Sequence, residues 1–300
     1  MRIAVLLTCF NRCQKTIRAL DSLYKSAEHF NENSTAKINL EVFLTDDGCT
    51  DNTSGNVKKT FPDKSITIVK ADGNAFWAGG MRLAWNKALE LHDRIDFYLL
   101  INDDAQFLPT AFGEMFKTHN YALAIYKKGG VYTGFIADEK NPNKIIYGAK
   151  YYKKAFLSKA YDIFPKHIPQ ECMFTNANFL VVDKHVVDEI GQLSIEYKHG
   201  GADWDYGMRA LKAGFPVLTT YGICGVSVND HILYEHESEK VLKMNLKDRR
   251  AYLNKPQREY HDAFVFFKRF DYPKYIMMKI AYFLNLYMPR LFYKLQSIRP

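Results

Sequence analysis

The chain has 300 residues, 47% of them hydrophobic and 25% charged, ordinary proportions for a folded globular protein with a sizeable core. Its formal charge is +8, yet no zinc-finger spacing or RNA-binding aromatic signature accompanies that excess, which sets nucleic acid aside in favour of phosphate-bearing ligands or a membrane surface. Five cysteines, an odd number with no CxxC pair, point to buried thiols in a reducing compartment.

Met1 leads directly into Arg2 and five apolar residues, too short a run for a secretory leader, and no stretch approaches the ~20 apolar residues of a spanning helix. A cytosolic protein is expected. Its 20 Tyr and 21 Phe are either core filling or stacking platforms for sugar rings and bases.

The N-terminal half alternates short apolar runs with helical periodicity, the rhythm of βαβ units on a parallel sheet. Ile3 to Leu7 reads as a first buried strand, and a helix follows from about Gln14 to Ser26 with Ile17, Leu20 and Leu23 on one face. Leu40 to Leu44 is a second strand, closed by the turn signal Asp46-Asp47-Gly48, and Ser65 to Lys70 a third. A helix from about Gly80 to His92 leads to the most apolar strand, Phe97 to Ile101. Short strand-like stretches fill 130–184, and a helix near Asp203 stops before Gly214. Beyond about Glu237 the composition shifts to Lys, Arg, Tyr, Phe and Met in a helical pattern, dividing the chain into a unit of 1–236 and an extension of 237–300.

Ligands of parallel sheets bind beyond the carboxyl ends of the strands. Three polar clusters fall there: Thr8-Cys9-Phe10-Asn11-Arg12, Asp46-Asp47-Gly48-Cys49-Thr50-Asp51 and Asn102-Asp103-Asp104. One such cluster is commonly a helix cap, whereas three converging on one edge describe a site, since carboxylates are expensive to bury without partners.

Taken in order with Phe76-Trp77-Ala78-Gly79-Gly80-Met81-Arg82 and Ala202-Asp203-Trp204-Asp205, these clusters resemble glycosyltransferase family 2 over about residues 1–235. The Phe-Trp variant resembles rhamnosyltransferase-like members. The resemblance implies a GT-A fold, α/β with a Rossmann-like nucleotide-binding sheet flanked by helices, here with a helical C-terminal extension. It further implies inverting transfer of a sugar from a UDP- or dTDP-activated donor to a glycan or polyprenyl-linked glycan acceptor in bacterial surface polysaccharide synthesis.

Site roles follow from the same resemblance. Asp46 matches the acid that reads the base N3–H, or else caps the next helix. Thr8, Asn11 and Arg12 fall near ribose and diphosphate. Trp77, Gly79, Gly80 and Arg82 match a loop along the nucleotide, its glycines placed ahead of a helix N-terminus that favours phosphate. Asn102 and Asp103 border the metal motif, here Asn-Asp-Asp where the family has Asp-x-Asp. Asp104 matches the acid that contacts Mn²⁺ or Mg²⁺, with His231, or its competitor His236, as a further ligand. Asp203 matches the catalytic base and is equally able to cap the following helix, while Ala202 replaces the family's Glu. The basic, aromatic tail either touches the inner face of the cell membrane or packs as a helical hairpin on the catalytic unit or a second subunit. A nucleotidyltransferase and a non-catalytic sugar-nucleotide-binding protein are the alternatives. A dinucleotide oxidoreductase is disfavoured because no GxGxxG opens the first helix.

Overall fold

The computed structural model describes residues 1–153, 159–228, 237–258 and 260–297. Its centre is a nine-stranded sheet in the order β3-β2-β1-β4-β10-β6-β11-β5, with β7 added alongside β6. These strands are β1 (Arg2–Cys9), β2 (Asn39–Asp47), β3 (Ile66–Ala71), β4 (Phe97–Ile101), β5 (Ala105–Phe107), β6 (Val131–Asp138), β7 (Asn141–Tyr147), β10 (Phe179–Asp183) and β11 (Val217–Ser227). A separate hairpin pairs β8 (Ala149–Lys153) with β9 (Lys159–Ile163).

The four N-terminal strands are mutually parallel, as their alternation with helices predicts, whereas β10 runs antiparallel between β4 and β6. Side chains alternate across the sheet and feed two cores. Ile3, Val5 and Leu7 of β1 join the first, with Phe97, Leu99 and Ile101 of β4. Ala4 and Leu6 join the second, with Tyr98 and Leu100. Strands buried on both faces read as continuous apolar runs, so these were the clearest in the sequence.

Helices α1 (Cys13–Asn33) and α4 (Ala111–Tyr126) cover the first face; α1 presents Leu20, Leu23, Tyr24, Ala27 and Phe30 at helical spacing. The other face carries α3 (Phe76–Leu89), α5 (Lys184–Ile190) and α6 (Ala202–Lys212), while α2 (Thr53–Thr60) joins β2 to β3. The sequence places the start of the third helix near Gly80, but the helix begins four residues earlier and takes both glycines into its first turns. Packing is the cause: a Cβ on Gly80 would lie 2.2 Å from Thr8 Oγ1, and the Gly80 carbonyl accepts the Thr45 hydroxyl at 2.8 Å. The glycine lets α3 lie directly on β1 and β2.

After α7 (Glu237–Lys243) and α8 (Leu246–Leu253), helix α9 (Tyr260–Phe270) returns to the sheet and inserts Phe266, Phe267 and Phe270 into the second core. Arg269 of α9 pairs with the fully buried Asp205 of α6 and with Glu196, and Asp205 also binds Arg209 at 2.7 Å. Tyr152 donates to Asp271 at 2.5 Å, and Asp271 caps α10 (Tyr272–Tyr287), which leads to α11 (Pro289–Ser297). Among the described residues no helix is long and apolar enough to cross a membrane.

Candidate active site

Parallel register aligns Cys9, Asp46 and Lys70 across the carboxyl edge of β1, β2 and β3. The buried Asp46 carboxylate accepts from the Cys49 N–H at 2.8 Å, from the Ser54 hydroxyl, and from Lys70 Nζ at 2.5 Å. Burial pushes its pKa up, but Lys70, Ser54 and Cys49 together outweigh that and hold it at about 2. Asp46 does not cap α2, whose N-cap position is Asn52.

Asp47, unassigned to ligand in the sequence, gathers the backbone N–H groups of Gly73, Ala75 and Phe76 at 3.0, 3.1 and 3.0 Å and fixes the loop into α3. Gly48 allows this approach, since at φ +75 a Cβ there would also meet Gly73 N at 2.9 Å. Asn11 ties the first two loops together by accepting from the N–H and hydroxyl of Thr50 at 2.7 and 3.1 Å. The Cys9 and Cys49 sulfurs lie 3.7 Å apart as free thiols. Phe10 stands 55% exposed at this edge, a large apolar ring that sequence reasoning passed over.

Next to this edge opens a cleft of about 480 Å³. Of the residues singled out in the sequence it brings together Thr8, Arg12, Trp77, Asn102, Asp103, Asp104 and Asp203. Asn11, Asp46, Gly79, Gly80 and Arg82 are not among its lining residues. Arg82 is turned the other way, donating to the carbonyls of Ser194 and Tyr197 at 3.0 and 2.8 Å. His231 and His236 lie outside the described residues.

One wall is ionic. Arg12 Nη1 stands 3.1 Å from Asp103 Oδ1 and 2.9 Å from Asp104 Oδ2. Burial pushes Asp103 up to about 6, with Arg12 pulling it down and Asp104 pushing it further up. Burial works against the Arg12 charge, but the two acids more than restore it and its pKa ends up raised. Asp104 is the more accessible of the pair.

Asn102 explains its own departure from an acid. Its Oδ1 accepts the Trp77 indole N–H at 2.8 Å and its amide nitrogen donates to Asn178 Oδ1 at 3.1 Å, while Asn178 donates in turn to Asn176 at 2.6 Å. The position needs a donor as well as an acceptor, which a carboxylate cannot supply. Its oxygen thereby accepts from Trp77.

Asp203 stands in the first turn of α6, whose N-cap is Gly201 at φ 75, so it does not cap the helix. Its carboxylate accepts from Trp204 N at 3.0 Å and Ala177 N at 3.3 Å, and Thr175 binds its carbonyl at 2.6 Å.

A further part of the lining comes from α9, which contributes Asp262, Ala263, Phe266 and Phe267. Asp262, almost completely buried, accepts the backbone N–H groups of Lys198, His199 and Gly200 at 3.1, 2.7 and 3.0 Å. It shapes the segment that delivers Asp203. No local signal marks the cradle, because the backbone groups that Asp262 gathers lie more than 60 residues away in sequence, and its other partner is the neighbouring His261 ring at 2.8 Å. Trp204, stacked on Phe174 with centroids 4.8 Å apart, meets Phe266 edge-on and completes an aromatic floor. Charged and aromatic residues lining one cleft suit a ligand with a phosphate end and a sugar end.

The family model for Glycosyl transferase family 2 matches residues 4–176, more than half the chain and all three polar strand ends. The chain belongs to that family. Asp203 and α9 lie beyond the matched segment, so this family member builds more than half of its cleft from sequence outside it. A crystal structure of S. aureus TarS 1-349 is similar at a TM-score of 0.50 and 14% identity, covering 82% of this chain and 66% of that one. The chain thus spans slightly under two thirds of that structure, and at such identity the likeness concerns the fold alone, which is GT-A. No match was found among curated proteins.

Proposed function

We propose that this family member is an inverting glycosyltransferase that moves a sugar from a UDP- or dTDP-activated donor to a hydroxyl of a glycan or polyprenyl-linked glycan. The observation that carries this reading is the shared cleft of Asp203 with the Arg12, Asp103 and Asp104 cluster. Asp203 takes the proton of the acceptor hydroxyl as its oxygen forms the bond to the anomeric carbon. The bond from that carbon to the phosphate oxygen breaks in the same displacement, and the nucleoside diphosphate leaves with the electron pair. No protein nucleophile is required. Phe10 and Asp46 take the base at the sheet edge, one by stacking and the other by accepting N3–H, after Lys70 swings aside.

The family often uses a divalent cation, and the hard carboxylate oxygens of Asp103 and Asp104 suit Mn²⁺ or Mg²⁺. Among the described residues no three His, Cys, Asp or Glu side chains form a metal cluster, so the cation would rest on this pair together with the diphosphate itself. Bound there, it supplies positive charge to offset the departing diphosphate. Arg12 supplies a fixed charge on the same side.

Peripheral attachment at the inner face of the membrane, within bacterial surface polysaccharide synthesis, belongs to the same proposal. Residues 1–236 act as the catalytic unit in this reading, with 237–300 as an extension that closes the cleft through α9. A sugar-nucleotide-binding protein without turnover is the second reading, favoured by the commitment of Asn102 to Trp77 and Asn178. Asp203→Asn separates them: turnover of a UDP- or dTDP-sugar should fall about 10²–10⁴-fold while the nucleotide-induced rise in melting temperature persists. Undiminished turnover would remove Asp203 from the mechanism, and absence of turnover in the parent with every donor would favour the binder.

A further inference from the structure

Helix α10 turns its apolar side to solvent. At 3.6 residues per turn, Tyr272, Pro273, Ile276, Met277, Ile280, Phe283, Leu284 and Tyr287 share an arc of roughly 140° without one charged residue. Most of these side chains are exposed, Ile280 and Phe283 at 54% each. The cations of the helix lean elsewhere. Lys274 Nζ lies 4.7 Å from the ring centre of Phe267, and Lys279 Nζ 4.1 Å from that of Phe264.

The stripe continues through exposed Met288 into α11, where Leu291 and Leu295 stand one turn apart beside exposed Arg290 and Lys294. Met277, Ile280 and Leu284 of α10, with Phe292 and Leu295 of α11, line an apolar groove of about 320 Å³. An exposed apolar face of this continuity marks a surface that something covers.

Charge identifies the cover. Residues 1–236 hold 27 Lys and Arg against 27 Asp and Glu, a balance of zero. Residues 237–300 hold 14 against six, so the entire excess of +8 belongs to the part of the chain that carries the apolar stripe. A second copy would bring its own positive charge to the same place, whereas an anionic lipid surface meets both the stripe and its charge.

We propose that the outer face of α10 and α11 is the seat of the protein on an anionic bilayer. Its apolar stripe enters the acyl boundary, the groove receives lipid tail, and Arg290 and Lys294 meet headgroup phosphates. The seat then lies one helix away from α9, whose Asp262, Phe266 and Phe267 line the cleft. It deepens the membrane-side placement proposed above and does not depend on Asp203, so the two readings fail separately.

Flotation of the full chain with vesicles tests it. Phosphatidylglycerol-containing vesicles should carry the protein up a density gradient, and pure phosphatidylcholine vesicles should carry much less. Ile280→Glu/Phe283→Glu should lower the partition by at least about a hundredfold, with the melting temperature within about 2 °C of the parent because both residues are exposed. Arg290→Gln and Lys294→Gln should each lower binding to anionic vesicles roughly fivefold. Failure of the parent to float, equal flotation on both vesicle types, or undiminished flotation of the double variant overturns the seat. A dimer in solution that the double variant dissolves, with no flotation of the parent, would assign the face to a second copy instead.

Discussion

Asp262 is the residue through which the C-terminal helices control the cleft, and Asp262→Asn isolates that control. The carboxylate accepts three backbone N–H groups from the segment that ends two residues before α6 begins, and it is almost completely buried. An amide keeps one oxygen, which can serve His199 and Gly200, but its NH₂ then faces the Lys198 N–H, donor against donor. Leaving one buried donor unsatisfied and losing the charge of the acceptor costs about 2–3 kcal/mol. For a chain of this size that is a fall of roughly 5–10 °C in melting temperature. The activity effect is separable from the stability effect. Slack in 198–200 passes directly to Asp203, so kcat at saturating donor should fall by at least about tenfold. Nucleotide affinity should stay unchanged, because Asp46 is held by Cys49, Ser54 and Lys70 and makes no hydrogen bond to this segment. The assay is kcat with nucleotide Kd at a temperature where the variant is fully folded. An unchanged melting temperature would refute the cradle, and full kcat in the folded variant would refute its connection to Asp203.

Asp46 contributes an acid-sensitive part of stability. Its carboxyl sits at about 2 in the folded protein against an ordinary 3.8, so the contribution is fully present above about pH 4 and is lost as pH falls towards 2. Urea melts of the parent and Asp46→Asn should therefore differ by about 2 kcal/mol at pH 7, by less than half of that near pH 2.5, and converge only below pH 2; a gap independent of pH would refute it. Gly80→Ala should destabilise by about 2–3 kcal/mol, because its Cβ meets Thr8, whereas Gly79→Ala, with 3.5 Å to its nearest neighbour, should be neutral or slightly stabilising. Thermal melts that rank the two equally would contradict the packing argument. Asn102→Asp should restore the family's Asp-x-Asp spelling without strengthening Mn²⁺ binding, since the new carboxylate would face Asn178 Oδ1 and Asn178 is held by Asn176. A loss of about 1–3 kcal/mol is expected in thermal melts. A Mn²⁺-dependent thermal shift larger than the parent's would show that residue 102 reaches the cation.

The strand ends were legible because the physics there is local. β1, β2 and β4 are buried on both faces, so they appear as apolar runs, and the polar residues that follow them mark the carboxyl edge. Helix α3 was harder. Two glycines read as a loop, and only the closeness of Thr8 shows that Gly80 is a helix residue without room for a side chain. Arg82 carries a charge that suits phosphate, but its carbonyl partners at Ser194 and Tyr197 are 112 and 115 residues away and left no mark on local sequence. The same distance hid α9. Its aromatic, basic composition signalled a helix at an interface, yet Phe266, Phe267 and Phe270 face the second core while the helix after it faces outward. Composition cannot assign those faces, because both are apolar.

The wall supplied by α9 also sets a timetable. A nascent chain that has released residues 1–236 already holds Thr8, Arg12, Asp104 and Asp203, but its loop at 198–200 has no carboxylate to gather it and its aromatic floor lacks Phe266. The cleft lining is therefore complete only once α9 has been made. A ribosome stalled before α9, or a protease that removes it, leaves a chain without that carboxylate and without Phe266.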